Sequence, residues 1–280
     1  MTMEEQLHSR LANLGVAEIA AAPADSDAPA GMKYSLSLVV RLSDAVVEGI
    51  EGQPTHSYFH HYRTVNAFLD QAVLAAGMLL QQNGWNYLPV GASQSINTPG
   101  KYYEGLYSHK KAACRAGLGG MGRSNLFLHR LWGPRVRLGT LFTDCPLPGL
   151  ELPQCENPCT GCNACVAACP AQALTGNDLP QNDAARELRI DPAACSEHMK
   201  RAYQHIGRGA VCGVCMAVCP VGQPAKKPAD GILMRCICED DPDLVCGKIY
   251  SARLLKDGWC AVVGENGKEY SYPPELFEEA

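Results

Sequence analysis

Leu7, Leu11 and Leu14 recur at helical spacing within residues 4–14, and Gly15 follows as a stop. YSLSLVVRL at 34–42 is a short apolar run that predicts a buried strand. From 63 to 83, Val65, Phe68, Leu69, Ala72, Val73, Ala76 and Leu80 mark a long amphipathic helix that stops near Gly84. WNYLPV at 85–90 predicts a strand, and residues 108–116 a short helix closed by Gly117. SNLFLH at 124–129 and VRLGTLFTD at 136–144 read as strands of one hairpin, with the turn residues in RLWGP between them. Helices alternating with strands, with a hairpin among them, predict an α+β domain.

Beyond residue 146 the pattern changes. LPGLELPQ at 147–154 reads as a linker and PVGQPAKKPADG at 220–231 as a second junction. The tail from 232 holds WCAVV, GENGK and EYSYPP, a hairpin with Asn-Gly in its turn. The expected organisation is an α+β domain over 1–150, a cysteine-rich module over 151–225 and a hairpin tail over 226–280.

The module carries CTGCNACVAACP at 159–170 and CGVCMAVCP at 212–220. The first is the C-x2-C-x2-C-x3-C-P run of bacterial two-cluster ferredoxins, whose fourth cysteine serves the other cluster. By that swap, Cys159, Cys162, Cys165 and Cys219 form one [4Fe-4S] ligand set. Cys169, Cys212 and Cys215 belong to the second. Its fourth ligand is best supplied by Cys195, in a helix that Asp191 would cap and Pro192 would start. Cys155, Cys236 and Cys238 are the rivals for that place. A lone C-x-x-C is equally compatible with a zinc ribbon or a redox dithiol, but two swapped runs ending in Cys-Pro favour clusters.

Fifteen cysteines in an exported chain would suggest disulfides; clustered at these spacings, they suggest metal in a reducing compartment. The first residues show no basic region before an apolar core, and no apolar run reaches the length of a membrane span. The expectation is a cytoplasmic protein. A net charge of −5 argues against broad phosphate-backbone binding. HKKAACR at 109–115 and GPRVR at 133–137 are the densest basic stretches, read as a solvated helix face and a strand edge.

GLGGMG at 117–122 lacks the lysine and serine or threonine of a phosphate-cradling loop. Its match to G-x-G-x-x-G follows a helix instead of a strand, so a tight helix-to-strand turn is the plain alternative. In context, however, AGLGGMGRSN, then LGTLFTD, then the double-cluster runs, with DPAAC between them, resemble the epoxyqueuosine reductase-like family. The likeness is most specific over residues 109–220. It implies a cobalamin or other corrinoid beside Gly117, Gly119, Gly120, Gly122, Arg123 and Asn125, reduced by two [4Fe-4S] clusters. It further implies a first domain related to nitroreductases and to a cobalamin-processing protein, and kinship with reductive dehalogenases. DPAAC supports Cys195.

Three departures bear on the substrate. Gly120 and Arg123 stand where the family has tryptophan and lysine. SINTP at 95–99 puts Asn97 where the family has a catalytic aspartate, and an amide does not deliver a proton as a carboxylic acid does. Tyr102, Tyr103 and His109 are the substitute donors at hand. The helical-repeat tail of some relatives is missing, which, with the acidic balance, argues against nucleic acid. The expected function is a reductase that passes electrons from an external low-potential donor through two clusters to a corrinoid, on a small-molecule or corrinoid substrate. An electron carrier that docks to a partner enzyme and binds no corrinoid is the rival. His60 and His61 are alternative metal ligands or ordinary surface or core histidines. Cys236, Cys238 and Cys246 lie among acidic residues as a metal or redox group, or as buried thiols. Cys114, Cys145, Cys155 and Cys260 read as structural.

Overall fold

The computed structural model describes residues 1–99, 101–148, 159–177, 186–207, 211–223 and 231–280. It divides into two compact units, Met1–Val221 and Gly222–Ala280.

The first unit begins with α1 (Met3–Leu14), where Thr2 and Glu5 form a reciprocal cap and Gly15 ends the helix at φ 94°. Strands β1 (Glu18–Pro23) and β2 (Tyr34–Arg41) pair antiparallel. After the short α2 (Asp44–Glu48) comes α3 (His56–Gln82), capped by Thr55 accepting from the Tyr58 amide. It starts earlier than its apolar stripe predicts, because the cap and not the stripe fixes the first turn. Then follow β3 (Tyr87–Val90), the small pair β4 (Ile96–Thr98) and β5 (Lys101–Glu104), and α4 (His109–Arg115). β6 (Gly119–Met121), β7 (Phe127–His129) and β8 (Val136–Thr143) complete this region.

The sheet order is β1-β2-β8-β3, all antiparallel. Both faces are covered, which explains why β2 and β8 are buried almost throughout. One face packs on α3, with Leu69 and Val73 so close to Gly139 that a methyl group there would crowd them. The other face carries α4, through Ala113 and Ala116 against Val39 and Leu138. The expected hairpin of 124–129 with 136–144 does not form. β7 pairs with β6, and β8 enters the central sheet. His129 explains the separation: it bridges to Gly133, so RLWGP closes on itself as a tight turn instead of joining two paired strands.

The cysteine segment adds α5 (Ala164–Ala168), α6 (Pro192–Tyr203) and α7 (Val214–Ala217). Val214 and Met216 belong to the same hydrophobic core as Leu38, Leu69 and Tyr58. The linker read at 147–154 falls mostly outside the described residues, although Leu147 is buried in that core.

The second unit is a five-stranded antiparallel sheet of β9 (Ile232–Cys236), β10 (Ile249–Leu254), β11 (Cys260–Val263), β12 (Glu269–Tyr272) and β13 (Phe277–Glu279). Its order is β12-β11-β10-β9-β13. The hairpin expected in the tail is β11–β12, with Gly267 at φ 78° in the turn, but it is one edge of a larger sheet. Among the described residues, no helix is long and apolar enough to cross a membrane.

Candidate metal centre

Cys159, Cys162, Cys165 and Cys219 line one open recess, together with Arg123, Ser124 and Leu128. The two runs that supply the sulfurs lie far apart in sequence. α5 and α7 pack against each other and bring them together. Burial pushes the Cys219 thiol up to about 11, with the Cys159, Cys165 and Cys162 sulfurs adding to it. Burial likewise raises Cys165, next to Cys159 and Cys162.

Cys195 sits in the first turn of α6. Asp191 caps that helix, accepting from the Ala193 and Ala194 amides at 2.9 and 3.0 Å, and Pro192 occupies the first helical position. Burial pushes Cys195 up to about 11, and its neighbours are Cys212, Cys169 and Asp191. Cys215 rises to about 12 through burial, beside Cys212, Cys195, Cys165 and Cys169. Cys159, Cys162, Cys165 and Cys219 thus line one recess, and Cys169, Cys195, Cys212 and Cys215 lie near one another, with Cys165 also close to Cys215. Among the described residues, no three Cys, His, Asp or Glu side chains converge as around a single ion. Four thiols lining one recess match the ligand number of a [4Fe-4S] cluster.

The donor chemistry fits such clusters. Sulfur ligands are stabilised by backbone N–H groups. Here the Arg123 amide donates to Cys159 Sγ at 3.4 Å and the Ala173 amide to Cys169 Sγ at 3.4 Å. Displacing the proton from each buried thiol is the step that metal binding drives.

The glycine-rich stretch serves this recess. A methyl on Gly119 would sit on the Leu128 carbonyl, and one on Gly122 would meet the Leu128 side chain at 2.9 Å. Gly120 is buried in β6, and Gly117 turns the chain at φ 75°. The Arg123 guanidinium donates to Asn163 Oδ1 at 2.6 Å and the Cys159 carbonyl at 3.2 Å. Asn125, at φ 60°, offers its carbonyl to Lys110 Nζ at 2.8 Å. Of the six residues expected around a corrinoid, Gly119 and Gly122 pack on Leu128 and Arg123 lines the thiol recess.

The other candidates divide. His109 is held by Thr140 Oγ1 at 2.9 Å and the Gly91 carbonyl at 3.0 Å, and burial lowers its pKa. Since a carbonyl only accepts, Nε2 carries the proton and is committed to the fold. Tyr102 and Tyr103 are exposed, and their carbonyls accept from Arg186. Asn97 lies in β4, and its side chain is outside the described residues. His60 is exposed; His61 accepts from the Ser43 amide at 3.1 Å. In the second unit Cys236 is a core residue and Cys246 is exposed. Cys155 lies outside the described residues.

The basic stretches are used internally: Arg135 meets Asp44 at 3.1 Å, Arg137 meets Asn66 at 3.0 Å, and Lys111 meets Asp25 at 2.8 Å. Arg189 escaped the sequence reading. It is the largest fully buried side chain, set on the bridge between Leu174 and Ile190, and it interacts with Cys159. Its only trace in the sequence is a cation between Leu188 and Ile190.

A protein-family model, described as a 4Fe-4S dicluster domain, matches residues 158–223. An epoxyqueuosine reductase from Synechocystis sp. is 26% identical over 191 residues, covering 64% of this chain and 60% of the relative. A tetrachloroethene reductive dehalogenase from Desulfitobacterium hafniense is 28% identical over 156 residues, covering 51% of this chain and 25% of the relative. Over these spans the chain is similar both to epoxyqueuosine reductases and to reductive dehalogenases. It spans less than two thirds of the length of these relatives. The fold is shared with a reductive dehalogenase structure described as suggesting a mechanism for B12-dependent dehalogenation, at TM-score 0.61 and 18% identity, over 77% of this chain and 31% of that one. It is also shared with an epoxyqueuosine reductase bound to a modified tRNA stem loop, at TM-score 0.51 and 16% identity, over 79% and 65%. The expectation against nucleic acid finds no support in a likeness of that kind.

Proposed function

We propose that this epoxyqueuosine reductase-like chain is an iron–sulfur reductase whose two [4Fe-4S] clusters carry electrons to an acceptor held by the α+β region. The carrying observation is the gathering of Cys159, Cys162, Cys165 and Cys219 in one recess, with Cys169, Cys195, Cys212 and Cys215 as the second group. When bound, the clusters supply one-electron transfer. The chain's residues place the sulfurs, donate amides to them and shield them from water. Anaerobic reconstitution should yield about eight iron and eight sulfide per chain, as two cubanes require. A stable content of about four would overturn the two-cluster reading.

A corrinoid acceptor is the finer reading, supported by the B12-dependent dehalogenase likeness. The nitroreductase-like character expected of residues 1–150 belongs to the same reading. A corrinoid beside residues 117–125, next to the first thiol set, belongs to that reading. Equilibrium dialysis with cobalamin at micromolar concentration tests it: retention with a changed cobalt spectrum is expected. No retention favours the carrier that docks to a partner enzyme. Asn97 at the acid position supports a substrate other than epoxyqueuosine. The chain should turn over epoxyqueuosine-containing tRNA on the order of 10²–10⁴ more slowly than an enzyme with a carboxylic acid there, measured in single-turnover assays. Comparable rates would overturn that reading.

A further inference from the structure

The two thiol sets differ in the charges around them. Arg123 closes on the first set at three points: its amide on Cys159 Sγ and its guanidinium on the Cys159 carbonyl and Asn163. It is only 8% exposed. Arg189, 1% exposed, reaches the Gly122 carbonyl at 3.5 Å and interacts electrostatically with the Cys159 sulfur. Behind them, the half-buried Lys110 donates to the Asn125 carbonyl at 2.8 Å. The second set has different company. Cys195 faces the Asp191 carboxylate, and Cys212 and Cys215 face the Tyr58 ring.

Burying a cation is costly unless negative charge compensates it. A cubane on four thiolates is net negative, and gains a further negative charge on reduction. In a low-dielectric setting a nearby cation stabilises the reduced form more than the oxidised one. An adjacent carboxylate does the reverse.

We propose that Arg123 and Arg189 hold the cluster of Cys159, Cys162, Cys165 and Cys219 at the higher potential of the two, so that it is where a single electron rests. An electron from a one-electron donor that reduces the second cluster passes to the first. The second is reoxidised, the first is reduced, and no bond forms or breaks. The first cluster lies against residues 122–124 of the α+β region, so the resting electron is held on the side from which an acceptor there would draw it.

The inference rests on both clusters being present, so each sample is first assayed for iron and sulfide. A sample with about four iron fails the two-cluster reading and not this inference. On fully loaded holoprotein, electron paramagnetic resonance during a redox titration should resolve two midpoints. Arg123→Gln should lower the higher midpoint and leave the lower one in place. A tenfold change in the reduced-to-oxidised ratio at fixed potential, about 59 mV for one electron, is the scale expected. Arg123→Lys keeps the charge and should restore most of it, which a purely structural role would not do. Should Arg123→Gln fail to load, Lys110→Met removes a neighbouring half-buried cation and should move the same midpoint in the same direction by less. A shift of the lower midpoint, equal shifts of both, or no shift in any loaded variant overturns the proposal.

Discussion

Cys159 and its partners line a recess faced by the loop after β6, while Cys215 lies partly buried where the first turn of α3 meets α7. Both sets draw on the same pair of cysteine runs, yet one is met by cations and the other by an aromatic ring and a carboxylate. Ligand spacing specifies a cluster; what surrounds the ligands distinguishes one cluster from its neighbour. Regular spacing thus states the chemistry, and the irregular residues between the cysteines divide the labour.

The hardest test of this contrast removes one ligand at a time. Cys165→Ala should cost the first cluster and leave about four iron per chain. Cys169→Ala and Cys219→Ala should each remove the cluster opposite to their sequence neighbours, as seen in which resonance signal disappears. If Cys169→Ala removed the first cluster's signal, the swap would be wrong and the comparison would dissolve.

Packing gives the next largest effect. Gly119→Ala places a methyl on the Leu128 carbonyl, a backbone atom that no side-chain motion relieves, and should cost about 1–3 kcal/mol in urea unfolding. Gly213→Ala combines a φ of 77° with the Tyr58 ring at 2.6 Å, and should cost at least as much. A tolerated Gly213→Ala would mean that the second set is less tightly enclosed than the first.

Smaller still is the strap from the cluster segment to the β4–β5 pair. Arg186 donates to the Tyr103 carbonyl at 2.6 Å and meets Glu104 at 3.4 Å. Arg186→Ala should cost about 1 kcal/mol and raise proteolysis within residues 96–104, leaving both clusters in place.

The smallest effect is a pH slope from behind the first recess. His129 Nε2 donates to Glu18 at 3.0 Å, while its Nδ1 accepts from the Leu131 amide, so the ring is neutral. Burial lowers its pKa, outweighing Glu18. Burial alone would raise Glu18, but its bonds to His129 and Arg130 lower it on balance. Both groups therefore bind protons more readily in the unfolded chain. Their contribution is full above the ordinary histidine value of 6.5 and is lost as pH falls, first in the histidine range and then in the carboxylate range. His129→Gln should flatten the first of these slopes in denaturant midpoints measured between pH 7 and pH 5.

The fold's long elements were legible because their patterns are one-sided. The stripe on α3 and the apolar runs of β2 and β8 each name a face to bury. β6 was not legible: Gly-Gly-Met has no alternation, and its glycines read as turn. With β6 unseen, β7 was assigned to the next strand along, although its partner lies behind it. In the site, the cysteine spacings and the Asp191–Pro192 cap were readable because each is local. Arg189 and Tyr58 were not, since their roles arise from chain segments that meet only after folding. Arg123 stood out in the sequence as a polar donor, but its bonds to Cys159 and Asn163 arise only once the two segments meet.

One helix carries a further consequence. α3 lays Leu69 and Val73 against the sheet, while at its other end Phe59 covers Gly207 and Tyr58 covers Gly213. Anyone grafting residues 159–221 into another host as a portable wire would leave those two rings behind. The transplant would arrive with its greasy underside bare. A workable cassette has to bring the opening turns of α3 with it, so the smallest transferable part is stitched from two stretches of sequence roughly a hundred residues apart.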